Sequence, residues 1–221
     1  MLELKYIRAS YHKDYPILND VNMCIEDGEK VVLLGRNGAG KTTFAQSIFG
    51  LTPIISGEVI YNGIDLLGLP LERLYTAGLG YFMQEGPVFP QMTVRENLWV
   101  SAGRISKREF LKRFEGLKKQ IPLFLNANIE SVPAGSLSGG ERSQLCLAMS
   151  IFNNPGLLIL DEPFAGLSPS NSNIILRILN DYQSSSNASV LLIAQDRKMA
   201  KDFSNTHYII REGKVINDDK V

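Results

Sequence analysis

Three apolar runs of strand length punctuate the chain: KVVLL at 30–34, LLIL at 157–160 and VLLIA at 190–194. Each is bounded by turn-forming or polar residues, which suits strands covered on both faces, as in a parallel α/β sheet. Helical periodicity fills parts of the intervals, at 42–49, 141–152 and 173–182. Strands alternating with helices predict an α/β core.

The amino-terminal region follows another rule. LELKYIRASY, VNMCIED and GEVIYNGIDL are short, turn-bounded and often alternating, which predicts antiparallel strands. Residues 95–125 are charged and helical in pattern, and KREFLKRFEGLKK reads as an amphipathic helix with a solvated face. HYIIREGKVI reads as a final hairpin and SSSNAS, at 184–189, as a loop.

Composition narrows the classes. The 221 residues, 44% of them hydrophobic, are ample for a packed interior. Lys plus Arg and Asp plus Glu balance at 23 each. No excess cation is present to neutralise a nucleic-acid backbone, so no nucleic-acid partner is expected and any phosphate is held locally. Cys24 and Cys146 lie outside any CxxC or Cys/His spacing, which argues against a metal cluster or disulfide framework and fits a reducing cytosol. The opening MLELKYIRASYHKDY has no continuous apolar core, and no run approaches the roughly 18 residues of a membrane span. The expectation is a chain neither secreted nor membrane-spanning by itself.

KVVLL runs directly into GRNGAGKT, Gly35 to Thr42, which satisfies G-x-x-x-x-G-K-[ST]. Glycines let backbone N–H groups turn inward around phosphate oxygens, Lys41 can reach the β and γ phosphates, and the Thr42 hydroxyl can ligate Mg²⁺. A helix opening near Lys41 adds its positive dipole end. The phosphate-binding candidates are therefore Gly35, Asn37, Gly38, Ala39, Gly40, Lys41, Thr42 and Thr43. LLILDE supplies the carboxylates such a loop needs: Asp161 for Mg²⁺, and Glu162 to polarise a water for attack on the γ-phosphate.

A second helix start, SLSGGERSQL at 136–145, admits two readings. Ser138 and Glu141 form a capping box; equally, Gly139 and Gly140 bare a helix end as an anion site requires.

GRNGAGKT, LSGGE and LLILDE, in this order, resemble the nucleotide-binding subunit of an ATP-binding cassette (ABC) transporter, over essentially the whole chain. The resemblance implies one ATPase domain over 1–221: a P-loop NTPase core with a parallel sheet, an N-terminal antiparallel β subdomain, and an α-helical subdomain inserted at about 85–152. It implies ATP and Mg²⁺ as ligands, Tyr11 stacking on adenine, and Gln84 linking the γ-phosphate and its metal to the helical subdomain. It implies two ATPase chains paired head to tail, homodimer or heterodimer, each ATP lying between the P-loop of one and Ser138, Gly139 and Gly140 of the other. Integral-membrane permease subunits and a solute-binding protein are the further partners implied, with the chain peripheral at the cytoplasmic face of the membrane.

Within the family, VFPQMTVRENL after Gln84, and Gln195 where most members have a switch histidine, look most like the smaller ATPase of branched-chain amino acid importers. An amide there can hydrogen-bond the γ-phosphate, water or Glu162 but cannot carry a proton. Ser168 replaces an aspartate that helps couple the two sites, and Met149 replaces a common arginine. Val88, Phe89 and Leu98 either line a groove for the permease or serve as local core. The rival reading is a soluble ABC ATPase acting as a mechanical clamp in translation or DNA maintenance; the second cassette or coiled-coil insertion such proteins usually carry is not seen here.

Overall fold

Two sheets divide the apolar residues between them. The computed structural model describes residues 1–11, 15–84, 86 and 88–218. In chain order come β1 (Leu2–Ala9), β2 (Leu18–Ile25), β3 (Lys30–Leu34), α1 (Lys41–Ile48), β4 (Ile54–Tyr61), β5 (Ile64–Asp65), α2 (Leu71–Thr76) and β6 (Leu79–Phe82). The chain then inserts α3 (Val94–Ala102), α4 (Lys107–Lys118), three short 3₁₀ turns and α5 (Gly139–Ile151) before β7 (Leu157–Asp161). The last stretch holds α6 (Pro169–Ser186), β8 (Ser189–Ala194), α7 (Arg197–Phe203), β9 (Thr206–Arg211) and β10 (Lys214–Asn217). Residue 85, where the helical insertion was expected to begin, lies outside the described residues.

The smaller sheet has the order β2-β1-β4-β5, antiparallel throughout. The larger has the order β10-β9-β3-β8-β7-β6, parallel except for the β9–β10 hairpin at its edge. Successive side chains of a strand point to opposite faces, and β3, β7 and β8 obey this while being apolar at nearly every position. Val32, Leu34, Leu158, Leu160, Val190 and Leu192 enter a core with α3 to α6. Val31, Leu33, Leu157, Ile159, Leu191 and Ile193 enter a second core with α1 and the antiparallel sheet. Both faces are covered, which is why these strands carry no polar alternation.

One expectation needs correction, and one open alternative is decided. SSSNAS is not a loop: α6 continues through Ser186, and only Asn187 and Ala188 separate it from β8. The Ser185 and Ser186 hydroxyls donate to the Tyr182 carbonyl at 3.0 and 2.7 Å, so the serines bond back onto the helix instead of competing with it. Asn187 then ends the helix in the left-handed region, φ 55°. Of the three groove candidates, Val88 and Leu98 are buried in the core and only Phe89 is exposed. Asn97, fully buried, shapes this segment: its amide oxygen accepts from Phe89 N–H and its nitrogen donates to the carbonyls of Phe89, Met92 and Thr93.

Met149 is half-buried against the helical core, consistent with a packing role at that position. Ser168 caps α6 by accepting from Asn171 N–H at 3.3 Å.

Candidate nucleotide site

The loop between β3 and α1 is built from glycines with different duties. Gly40 caps α1 at φ 103°, a backbone region that L side chains rarely adopt. A Cβ on Gly35 would come 2.6 Å from the Ile210 side chain, whereas one on Gly38 would meet nothing within 4 Å among the described residues. Gly35 thus serves close packing against β9, and Gly38 leaves its backbone open to a ligand. α1 has no side-chain cap and no acidic residue in its first turn, so its leading N–H groups and dipole end are left for an anion.

Lys41 is 5% exposed, and its ammonium donates to the carbonyls of Gly35 and Arg36 at 3.0 and 3.1 Å. It also lies 2.9 Å from Glu162 Oε1. Thr43 is buried on α1, Thr42 and Ala39 are half-buried, and Asn37 is exposed.

β7 ends where the carboxylates begin. Asp161 is fully buried, and among the described residues neither carboxylate oxygen has a partner at hydrogen-bond geometry. Burial holds its carboxyl above the usual carboxylate range; Thr42 and Lys41 oppose the rise and Glu162 adds to it. Two orphaned hard oxygens near a threonine hydroxyl fit Mg²⁺, with phosphate and water completing the shell. No group of three or more acidic, histidine or cysteine residues that could hold a metal by itself occurs among the described residues.

Glu162 follows at φ 51°, held there by its N–H donating to the Ile193 carbonyl at 3.0 Å. A non-glycine residue in this region is strained, and such strain clusters at functional sites. Gln195, one residue beyond β8, meets Glu162: its Nε2 donates to Oε1 and Oε2, both at 3.0 Å, and to Asn37 Oδ1 at 2.5 Å. The structure therefore gathers Asn37, Lys41, Asp161, Glu162 and Gln195 at the carboxyl ends of three adjacent parallel strands, where open α/β sheets place their ligands.

The start of α5 is different. Both capping-box bonds are present: Glu141 N–H donates to Ser138 Oγ at 3.4 Å, and Ser138 N–H donates to Glu141 Oε2 at 2.9 Å. The Ser138 hydroxyl also donates to Glu141 Oε2 at 2.7 Å. These bonds hold the Glu141 carboxyl below the usual range. The two glycines also differ: Gly139 is exposed with open space around it, while a Cβ on Gly140 would strike Asn171 at 2.4 Å.

Gln84, exposed two residues past β6, lines a cavity of about 420 Å³ with Gly139, Arg142, Cys146 and Glu162. Among the described residues it hydrogen-bonds to neither Thr42 nor Asp161. Tyr11 is half exposed, and its hydroxyl donates to Gln46 of α1 at 2.7 Å, which ties the ring to the helix that opens at the P-loop. A second cavity, about 530 Å³, runs behind Glu162 and Gln195 along α6 and α7. Phe164, Lys198, Met199 and Asp202 of that wall were not singled out from sequence, since none sits in a phosphate or carboxylate pattern. The contact of Asn37 with Gln195 was also missed, because the pair is 158 positions apart.

A family model described as ABC transporter matches residues 18–165. The probable branched-chain amino acid transport ATP-binding protein LivF of Archaeoglobus fulgidus is 34% identical over 97% of this chain and 90% of its own length. The lipopolysaccharide export system ATP-binding protein LptB of Haemophilus influenzae is 32% identical over 94% of this chain and 86% of its own. Among solved structures, the dimeric ATP-binding cassette MJ0796, in a post-hydrolysis state bound to ADP and Pi, matches with TM-score 0.84 and 25% identity, over 97% of this chain and 96% of that one.

Proposed function

Because the chain belongs to the ABC transporter family, as an ATPase subunit that binds and hydrolyses ATP, we propose that it powers import of branched-chain amino acids or a related amide. The observation that carries the solute class is the full-length similarity to LivF, and Gln195 with VFPQMTVRENL points the same way. LptB, a component of an export system, is nearly as similar, so lipopolysaccharide export is the reading to test against it.

In this reading ATP lies along the P-loop of one chain, with its adenine against Tyr11 and its phosphates on the N–H groups from Gly35 to Thr43. Lys41 exchanges Glu162 for a phosphate oxygen. Thr42, Asp161 and Gln84 would hold Mg²⁺, which when bound neutralises phosphate charge. Glu162, released from Lys41, takes the proton of the attacking water, and Gln195 orients that water. A second ATPase chain brings Ser138, Gly139 and Gly140 to the γ-phosphate, adding donors where charge develops. Closure moves the helical insertion, taken as residues 85–152, and through it the permease subunits. The exposed Phe89, Trp99 and Val100 on that insertion suit a contact with such a partner.

No helix among the described residues is long and apolar enough to cross a membrane. Attachment at the cytoplasmic face then comes from the permease, with a solute-binding protein delivering cargo. The test is to isolate the chain with its native membrane partners, reconstitute the complex in vesicles, and measure ATP-dependent uptake of radiolabelled leucine, isoleucine and valine. Uptake of these, competed by unlabelled leucine, supports the proposal; ATP hydrolysis stimulated only by lipopolysaccharide removes it.

A further inference from the structure

One terminal atom of Gln195 is surrounded by three oxygens, those of the Glu162 carboxylate and Oδ1 of Asn37. An amide nitrogen carries two N–H groups and an amide oxygen carries none. Chemistry alone therefore places Nε2 here, with one N–H on Asn37 and the other shared across the carboxylate. Oε1 is left on the opposite side and accepts no hydrogen bond among the described residues.

The contact is built by sheet register. β3 and β8 are parallel neighbours with Leu34 opposite Ala194, and Gly35 N–H donates to the Ala194 carbonyl at 3.3 Å. The residues just beyond these strand ends, the P-loop and Gln195, emerge side by side. Rotation about the last torsion of a glutamine is soft, so a carboxylate by itself does not fix the amide plane: either N–H can face it.

We propose that Asn37 is the positioning residue for Gln195. By taking one N–H it fixes the amide plane, keeps the other N–H on Glu162, and presents Oε1 as acceptor to the O–H of the attacking water. The pairing is specific to an amide, since a neutral imidazole offers one N–H at its tip and could not serve Asn37 and Glu162 together. This inference rests on the proposed role of Gln195 in turnover.

The test combines Asn37→Ala with Gln195→Ala and Gln195→His; Asn37 and Gln195 are both exposed, so the fold should tolerate these changes. Asn37→Ala should lower kcat about tenfold, the scale of one hydrogen bond lost in a transition state, with KM for MgATP changed less than about threefold. It should cost nothing further in either Gln195 variant. In the nucleotide-free protein, the Gln195 side-chain amide resonances, assigned by their loss in Gln195→Ala, should shift in Asn37→Ala. An equal kcat loss in the Gln195→His background, a rise in KM alone, or unmoved resonances would overturn the inference while leaving the function of the site intact. Full turnover by Gln195→Ala would instead remove the role of Gln195 and this inference with it.

Discussion

Two helix starts in this molecule have the composition of anion sites, and only one is free to act as one within a single chain. α1 opens on Gly40 with no side-chain cap and no acid in its first turn. α5 opens on Ser138 with a complete capping box and the ionised Glu141 in its first turn. Among the described residues the leading N–H groups of α1 have no side-chain cap, so a phosphate would complete that helix; those of α5 are partly satisfied, and a carboxylate opposes the dipole that would draw an anion in. Lys41 adds to the asymmetry. It stands at the α1 site already paired with Glu162, whereas the α5 end projects the exposed Ser138 and Gly139 outward. The lesson is that one half of the proposed site is assembled by long-range contacts inside the chain, while the other is a self-sufficient surface that gains its task only against a second molecule.

Breaking the α1 side should have the largest effect. Lys41→Ala should reduce ATP turnover by more than about a thousandfold, since it removes the side-chain cation that would meet the transferred phosphate, and steady-state hydrolysis assays would show it. Near-normal turnover would mean that α1 is not the phosphate site.

Stability should change in the opposite direction at Asp161. Its carboxyl is buried, without partners among the described residues, and held above the usual range. The folded chain therefore holds this proton more tightly than the unfolded chain does, and stability is lost as pH rises from the ordinary carboxylate value of about 4 through that raised value. Asp161→Asn removes the penalty. It should raise the melting temperature of the nucleotide-free protein at pH 7.5 by about 2–4 °C, the response of a chain this size to roughly 1 kcal/mol, while abolishing Mg²⁺-dependent hydrolysis. The advantage should shrink toward pH 4 in parallel scans; a variant less stable than the parent at every pH would contradict the account.

The smallest effect is expected at α5. Glu141→Gln keeps the capping geometry but removes the charge, so ATP-driven dimerisation should tighten by about two- to fivefold, as read by analytical ultracentrifugation. Weaker dimerisation would show that the carboxylate helps the second half-site instead of opposing it.

Much of this comparison was legible in the sequence, for identifiable reasons. The three apolar runs announced buried parallel strands because both faces of β3, β7 and β8 feed cores. GRNGAGKT fell between a strand and a helix, where its glycines have an unambiguous use. SSSNAS misled because propensity does not register the Tyr182 carbonyl that receives two of its serines. Val88 and Leu98 were ambiguous because an apolar residue in a charged segment can face either way until packing decides. The contact of Gln195 with Glu162 was legible once the amide was placed at the strand end, whereas Asn37 as its third member stayed hidden because only the sheet order brings the P-loop beside Gln195. The capping box at Ser138 was visible, but its energetic opposition to anion binding became clear only beside the uncapped α1.

A P-loop on one chain and an α5 start on another should together make a single ATP site. This pairing is tested most directly by size-exclusion chromatography with light scattering on Glu162→Gln in MgATP, with and without Ser138→Arg. Glu162→Gln should form a stable dimer, and adding Ser138→Arg should leave a monomer that still binds ATP. A dimer that persists unchanged with Ser138→Arg would contradict the pairing.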